Sequence, residues 1–439
     1  MLFLLNGKCF ASLQDNEWRS SATESRGRTA LLLVQLLDRL VRTGTLRLID
    51  ARGQTHTFGN GQPPYATIKI HDSSLNWRIP LHPSLATGEA FMDGRLTIEE
   101  GTLHDFLELT SRHYIDVLEG GVAKLLKPVA RLGRMIHQFN PASRARRNVA
   151  HHYDLTDRLY ELFLDSDRQY SCAYFEHPDA TLEEAQTAKK NHIAAKLMLD
   201  RPGLKVLDIG SGWGGMALHL ATNNGADVTG ITLSTEQAKV AAARCQAQGL
   251  EKRVRFNLQD YRSENGRYDR IVSVGMFEHV GRPHYQTYFN KIQQCLDPDG
   301  VALVHTIGRL DGPGVTDPWI RKHIFPGGYV PALSEVMPAI ERAGLIVTDI
   351  EILRLHYAET LRHWQRRFLA NREEIKSLTD ERFCRMWEFY LVGSEMAFRH
   401  FNQAVFQLQL TRRLTAVPIT RDYLGEAKRV AATGKTAAA

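Results

Sequence analysis

The chain has 439 residues, more than one ordinary domain and enough for two with an ample core. Its 43% hydrophobic and 24% charged residues are the proportions of a soluble globular protein, and no apolar run approaches the ~20 residues of a membrane-spanning helix. Five cysteines without a C-x-x-C pair argue against a disulfide framework or a structural zinc and fit a reducing cytosol. The net charge of +6 admits an anionic partner, nucleic acid or lipid headgroups, without choosing between them.

The opening Met1-Leu2-Phe3-Leu4-Leu5 is too short for the apolar core of a signal peptide. Leu31 to Val41 reads as an amphipathic helix that Gly44 ends, followed by strand-like runs at Thr45 to Ile49, Ala66 to Ile70 and Trp77 to Leu81. After Gly88-Glu89-Ala90-Phe91-Met92-Asp93-Gly94-Arg95, a helix is expected over Thr102 to Leu118. Residues 1–120 thus read as a small α+β accessory domain with no chemistry in its spacing. Residues 121–148 form a basic amphipathic linker, with Lys124, Lys127, Arg131, Arg134, Arg144, Arg146 and Arg147 among apolar positions. Such a run is a solvated face or a patch for an anionic surface, where each Lys or Arg contributes about 1 kcal/mol against acidic lipid; RNA would be attracted equally.

Next come His151-His152-Tyr153-Asp154-Leu155 and Tyr170-Ser171-Cys172-Ala173-Tyr174-Phe175. Their spacing matches no zinc site, so no metal is expected, and the density of aromatics and hydroxyls reads as the lid of a pocket. A helix over Thr181 to Leu199 leads into Lys205 to Gly215, K-V-L-D-I-G-S-G-W-G-G, where a strand stops at glycines and a helix begins. Strand and helix then alternate: Ala226 to Leu233, Thr235 to Gln248, Val254 to Leu258, Arg270 to Met276, His284 to Leu296 and Val301 to Ile307. That alternation predicts a doubly wound α/β fold with a parallel sheet covered on both faces. The ribose-gripping acid of a dinucleotide site is replaced by Thr232, Leu233 and Ser234, with Gln237 on the next helix, so NAD is disfavoured; a P-loop lysine is absent.

The run L-D-I-G-S-G-W-G-G, then G-I-T-L-S-x-x-Q, Q-D-Y and M-F-E-H-V-G, resembles the class I S-adenosylmethionine methyltransferases, and more narrowly the cyclopropane-fatty-acyl-phospholipid synthases. With H-Y-D-L and Y-S-C-A-Y-F upstream and an aromatic-rich tail, the resemblance spans about Leu31 to Arg413. It implies a Rossmann-like catalytic domain over residues 149–415, carrying helices that line an acyl chain, and a tail at 416–439. Gly210, Ser211 and Gly212 would approach the methionine part of S-adenosylmethionine, Thr232, Leu233, Ser234 and Gln237 its ribose side, and Gln259 and Asp260 its adenine, with Tyr170 and Ser171 closing over it. Asp208 is either a cofactor contact or a strand-end acid satisfied by backbone amides, and Trp213 is expected to serve helix packing.

The reaction so implied adds a methylene to a cis double bond of a phospholipid acyl chain. An alkene is a weak nucleophile, so it needs a strong electrophile, exclusion of water and a base that removes a proton from the new methyl group. In the resembling enzymes the base is a bicarbonate, which here implies Cys172, Glu278, His305, Ile307 and Tyr357. The resemblance also implies an inner-leaflet, peripherally bound cytoplasmic enzyme, with a homodimer left open; it equally covers relatives that add a methyl or methylene branch. The rival reading is an RNA or small-molecule methyltransferase using the basic linker for its substrate; against it, Gly275-Met276-Phe277-Glu278 lacks the acid or Asn and two prolines of amino-methyltransferases, so no nucleic-acid partner is expected. Ser394 stands where some relatives carry a cysteine, and Cys384 is no substitute. Trp364, Phe368, Phe383, Met386, Trp387, Phe389, Tyr390, Met396, Phe398, Phe401 and Phe406 read as core, part of it an acyl tunnel, with Arg362, Arg366, Arg367, Arg399, Arg412 and Arg413 toward headgroups.

Overall fold

The computed structural model describes residues 25–118 and 157–425. The basic run 121–148 and His151 to Leu155 lie outside the described residues, as do 1–24 and 426–439. The described chain falls into two compact units: residues 25–118 with Asp317–Ile324 and Arg372–Phe401, and the remainder.

The first unit is built on a four-stranded sheet, β1 (Thr45–Ile49), β2 (Thr55–Gly59), β3 (Tyr65–Ile70) and β4 (Leu96–Glu100), in the order β2-β1-β3-β4. The strand expected at Trp77 to Leu81 is instead a helix, Leu75–Leu81. As a strand, Trp77, Ile79 and Leu81 would share a face; as a helix, Leu75 and Ile79 bury together and Trp77 stays 44% exposed. Asp72 favours this by accepting from Ser74 N and Ser74 Oγ, both at 2.8 Å, at the helix start. The helix expected over Thr102 to Leu118 breaks into Leu103–Ser111, closed by a Thr102/Asp105 capping box, and Tyr114–Leu118.

The aromatic helix Glu381–His400 also packs in this unit, against helices Pro83–Met92 and Leu103–Ser111. Phe389 lies 6.2 Å from Phe91 and 4.8 Å from Trp319, ring centre to centre, and His400 bonds Glu108 at 2.8 Å. Glycine is required at position 88, because a Cβ there would collide with the Trp319 indole and the Phe389 ring.

The second unit holds a seven-stranded sheet: β5 (Lys205–Ile209), β6 (Asp227–Thr232), β7 (Val254–Leu258), β8 (Tyr268–Val274), β9 (Leu296–Arg309), β10 (Ile346–Leu353) and β11 (Gln403–Thr411). Its order is β10-β11-β9-β8-β5-β6-β7. Strands β5 to β9 are parallel as expected, while β11 runs antiparallel to both β9 and β10, so the sheet is mixed. The βα alternation carries no signal for β11, whose glutamines look solvent-facing. Yet Gln407 Nε2 meets His305 Nδ1 at 3.2 Å and Gln409 Nε2 donates to Lys196 O at 2.7 Å, both in the interior.

Strand alternation divides the interior into two cores. Leu207, Ile209, Ile271 and Val304 pack toward helices Tyr285–Cys295 and Leu333–Arg342; Val206, Val228, Val272 and Leu303 pack toward Leu182–Lys196 and Gly215–Asn224. Strand order reverses beside β5, so the crevice at its carboxyl end is where an open α/β sheet binds ligands. Of the tail, Arg421 bonds Asp349 at 2.8 Å and Tyr423 OH accepts from Gln409 Nε2 at 3.2 Å, which docks it on β10 and β11.

Candidate active site

The β5 strand gives way to a turn in which Gly210 and Gly214 (φ +84°) and Gly212 (φ +53°) sit in the left-handed region. Gly210 N and Ser211 N both donate to Ile231 O, at 2.9 and 3.0 Å, which ties the turn to β6. A Cβ on Gly210 would lie 2.8 Å from Met276 Cβ, so the chain leaving β8 leans directly on the turn. A cavity opens here. It is lined by Tyr170, Ser171, Asp208, Gly210, Ser211, Gly212, Thr232, Leu233, Gln237, Gln259 and Asp260, together with Gly275, Met276 and His279.

Every residue expected at the donor is therefore on the cavity wall except Ser234, which stands just behind it. Ser234 is the N-cap of helix Thr235–Ala247, its Oγ accepting from Gln237 N at 3.3 Å. Thr232 Oγ1 accepts from Ser234 N and donates to Gln237 Oε1, both at 3.2 Å, so the hydroxyls and the amide are pre-positioned. At the other end, Asp260 accepts from Arg262 N, Nε and Nη2, and Gln259 Nε2 donates to Glu264 at 3.0 Å.

Asp208 is 2% exposed, and its Oδ2 is buried without a hydrogen-bond partner, so backbone amides do not satisfy that oxygen. Burial pushes its carboxyl up to about 7, with nearby Lys189 pulling the other way. Ser211 Oγ is likewise buried and unpartnered. Unsatisfied polar atoms on a cavity wall are what a bound polar group completes. Trp213 does pack on a helix, Asp157–Phe163, donating to Asp157 at 3.1 Å with its ring tilted against Tyr160, 4.9 Å between centres. Sequence reading missed Gln169, Gln186 and Lys189. The last two sit one turn apart on helix Leu182–Lys196, fully interior, and only their shared helical face with Leu182 and Ile193 could have shown it.

The five residues expected around a base divide into two groups. Glu278, on a short turn after β8, accepts from Ile307 N through Oε1 at 2.6 Å, while its Oε2 is buried without a partner. Burial raises the Glu278 carboxyl above the usual range, opposed by the Ile307 amide. His305 lies two residues before Ile307 on β9; burial holds it well below its ordinary value, neutral, with Nδ1 on Gln407. Gly275 N donates to His305 O at 2.9 Å, which joins this group to the cavity wall. Cys172 belongs with helix His356–Ala370: Ala173 N donates to Thr360 Oγ1 at 3.0 Å, and Tyr357 stands one turn before Thr360, 5.8 Å from Trp364 ring to ring. Burial raises the Cys172 thiol, keeping it protonated.

This wall, a left-handed glycine turn at a switch point with a buried carboxylate beside it, is matched by known proteins. Residues 141–408 match the profile of the family described as mycolic acid cyclopropane synthetase. The chain belongs to this family. It is 39% identical over 364 residues to the cyclopropane-fatty-acyl-phospholipid synthase of Escherichia coli K12, covering 80% of this chain and 89% of that one. It is 35% identical over 428 residues to the tuberculostearic acid methyltransferase UfaA1 of Mycobacterium tuberculosis, covering 92% and 97%. Among solved structures, mycolic acid cyclopropane synthase CmaA1, complexed with SAH and CTAB, superposes with a TM-score of 0.58 at 34% identity, covering 62% of this chain and 99% of that one. The chain is thus an S-adenosylmethionine-dependent methyltransferase, and the orphaned Asp208 and Ser211 atoms and the glycine turn fit such a donor.

Within the family fold, the aromatic set expected as core is largely buried. Trp364 and Phe368 are buried on helix His356–Ala370, Phe406 lies in the sheet core, and Trp387, Phe389, Tyr390, Met396 and Phe398 pack in the first unit, as does Ser394. Among the described residues no helix is long and apolar enough to cross a membrane.

Proposed function

We propose that the enzyme moves a one-carbon unit from S-adenosylmethionine to the cis double bond of an unsaturated phospholipid acyl chain and closes a cyclopropane ring. The donor, when bound, supplies an electrophilic methyl carbon. The alkene π pair forms the new C–C bond as the C–S bond breaks and its electrons stay on sulfur, leaving a cationic carbon on the acyl chain. Loss of a proton from the new methyl frees the C–H pair to close the ring.

The observation that carries this reading is Glu278: a fully buried carboxylate with one oxygen fixed by Ile307 N and the other unsatisfied, adjoining Met276 on the donor wall. A residue used only for structure would be expected to have both oxygens satisfied. Cys172, Glu278, His305 and Tyr357 would hold a bicarbonate ion, which supplies a base in an otherwise apolar site, while the Ile307 amide fixes the Glu278 carboxyl. The neutral imidazole and protonated thiol of this set add no negative charge against such an anion.

Tyr170 packs against Trp364, 5.2 Å between ring centres, an apolar contact that supports a site with little water. The enzyme would reach its substrate from the cytoplasmic leaflet, with the basic run 121–148 meeting acidic headgroups. Mass spectrometry of lipids from cells expressing the chain tests the reaction. Gain of one CH2 with loss of the double bond and no branch supports it; a methyl or methylene branch, as the UfaA1 resemblance would give, or unchanged lipid overturns it. Flotation with anionic vesicles across a salt series tests the membrane step, which fails if binding is absent at low salt.

A further inference from the structure

Helix Leu182–Lys196 grips the strand-like segment Gln169-Tyr170-Ser171 from behind the donor cavity. Gln186 Nε2 donates to the carbonyls of Gln169 (3.2 Å) and Ser171 (3.0 Å). One turn later, Lys189 Nζ donates to Gln169 Oε1 and to Ser171 Oγ, both at 2.7 Å. These bonds decide polarity. An ammonium has donors only, so Ser171 Oγ accepts from it and keeps its own hydrogen to give elsewhere. Gln169, fixed with its oxygen on Lys189, turns its Nε2 to Asp167 at 3.0 Å.

The charge around Lys189 is incomplete. It is 0% exposed, yet both hydrogen-bond partners are neutral. Of the acids near it, Asp167 is held by Lys190 and Arg244, and Asp165 accepts from the backbone amides of Gln169 and Asp167. The third, Asp208, lines the cavity with Oδ2 unpartnered. A buried ammonium without a bonded carboxylate is costly, and a ligand carboxylate arriving at Ser171 would complete it.

We propose that Lys189 is a positioning residue for the amino-acid end of the donor: it makes the Ser171 hydroxyl a hydrogen-bond donor toward the donor's carboxylate and supplies the buried positive charge behind it. Asp208, on the facing strand end, takes the ammonium. This rests on S-adenosylmethionine being the donor, and the test separates the two claims.

Calorimetry of the full chain compares S-adenosylhomocysteine with its decarboxylated analogue. Wild type should prefer the carboxylate-bearing ligand at least tenfold. Lys189→Met and Ser171→Ala should each reduce that preference to within twofold, and the double variant should lose nothing further, because the two residues act through one bond. Equal weakening of both ligands by Lys189→Met marks a purely structural lysine and overturns the proposal, as does full preference in Ser171→Ala. If Lys189→Met does not fold, full preference in Ser171→Ala still overturns the proposal. Wild type that binds neither ligand refutes the donor reading, whereas wild type that binds both equally refutes only the role of Lys189.

Discussion

The donor wall and the residues proposed to hold a base are built in different ways. The donor wall gathers the segment 168–171 and the carboxyl ends of β5 to β8, with left-handed glycines at 210, 212 and 275 and a capped helix start. The base group is side chains from separate elements, with Glu278 after β8, His305 and Ile307 on β9, Cys172 on the lid and Tyr357 on helix His356–Ala370. Binding a common donor needs a shape that local turns can make. Removing one particular proton needs groups whose burial is set by long-range packing, and burial is what shifts Glu278, His305 and Cys172 from their ordinary ionisation.

The sharpest break between the two halves is expected from Glu278→Gln. It keeps an oxygen for Ile307 N but cannot take part in proton transfer, so ring formation should fall by about 10²- to 10⁴-fold. Calorimetry should find S-adenosylhomocysteine bound within twofold of wild type. Parallel losses in binding and turnover would mean the halves are not separable.

Gly210→Ala should do the reverse. A side chain in the left-handed region costs about 1–2 kcal/mol, and its Cβ would meet Met276, so donor affinity should fall by about tenfold or more along with the melting temperature. Unchanged affinity would show that the turn does not touch the donor.

Asp208→Asn gives a signed pH effect. Burial raises this carboxyl to about 7, so the ionised form that attracts the donor's ammonium is lost as pH falls through that value. Folding runs the other way: an acid raised above its unfolded value stabilises the fold while protonated, and that contribution is lost as pH rises from about 4, its unfolded value, through about 7. The asparagine should therefore flatten the pH dependence of S-adenosylhomocysteine binding and raise the ligand-free melting temperature on the alkaline side of 7. A wild-type affinity independent of pH across 7 would remove Asp208 from the donor contacts.

The smallest effect is expected at Ser394, on a helix packed in the first unit. Ser394→Ala should leave ring formation within twofold, and a large loss would bring that helix into the chemistry.

Most of the second unit could be read from the chain. Val206, Leu207, Val272 and Ile209 announce buried parallel strands, and the glycines that end β5 announce its turn, because these signals are local. The resemblance named Glu278 and Ile307 but not the bond between them, which depends on how β8 and β9 pair. Elsewhere local signals misled. Trp77-Arg78-Ile79-Pro80-Leu81 alternates like a strand, yet burial of Leu75 with Ile79 makes it a helix. Gln407, Gln409 and Lys189 look solvent-facing, yet each is interior because a partner from a distant segment meets it there.

By itself the sequence determined the periodicities and turns, and so the α/β architecture, the position of the donor crevice and most residues on its wall. Only the tertiary structure decided which helix joins which unit, the antiparallel return of β11, and which buried polar groups are left unsatisfied. Propensity and backbone conformation act within a few residues, whereas desolvation and hydrogen-bond pairing depend on segments as far as 213 positions apart.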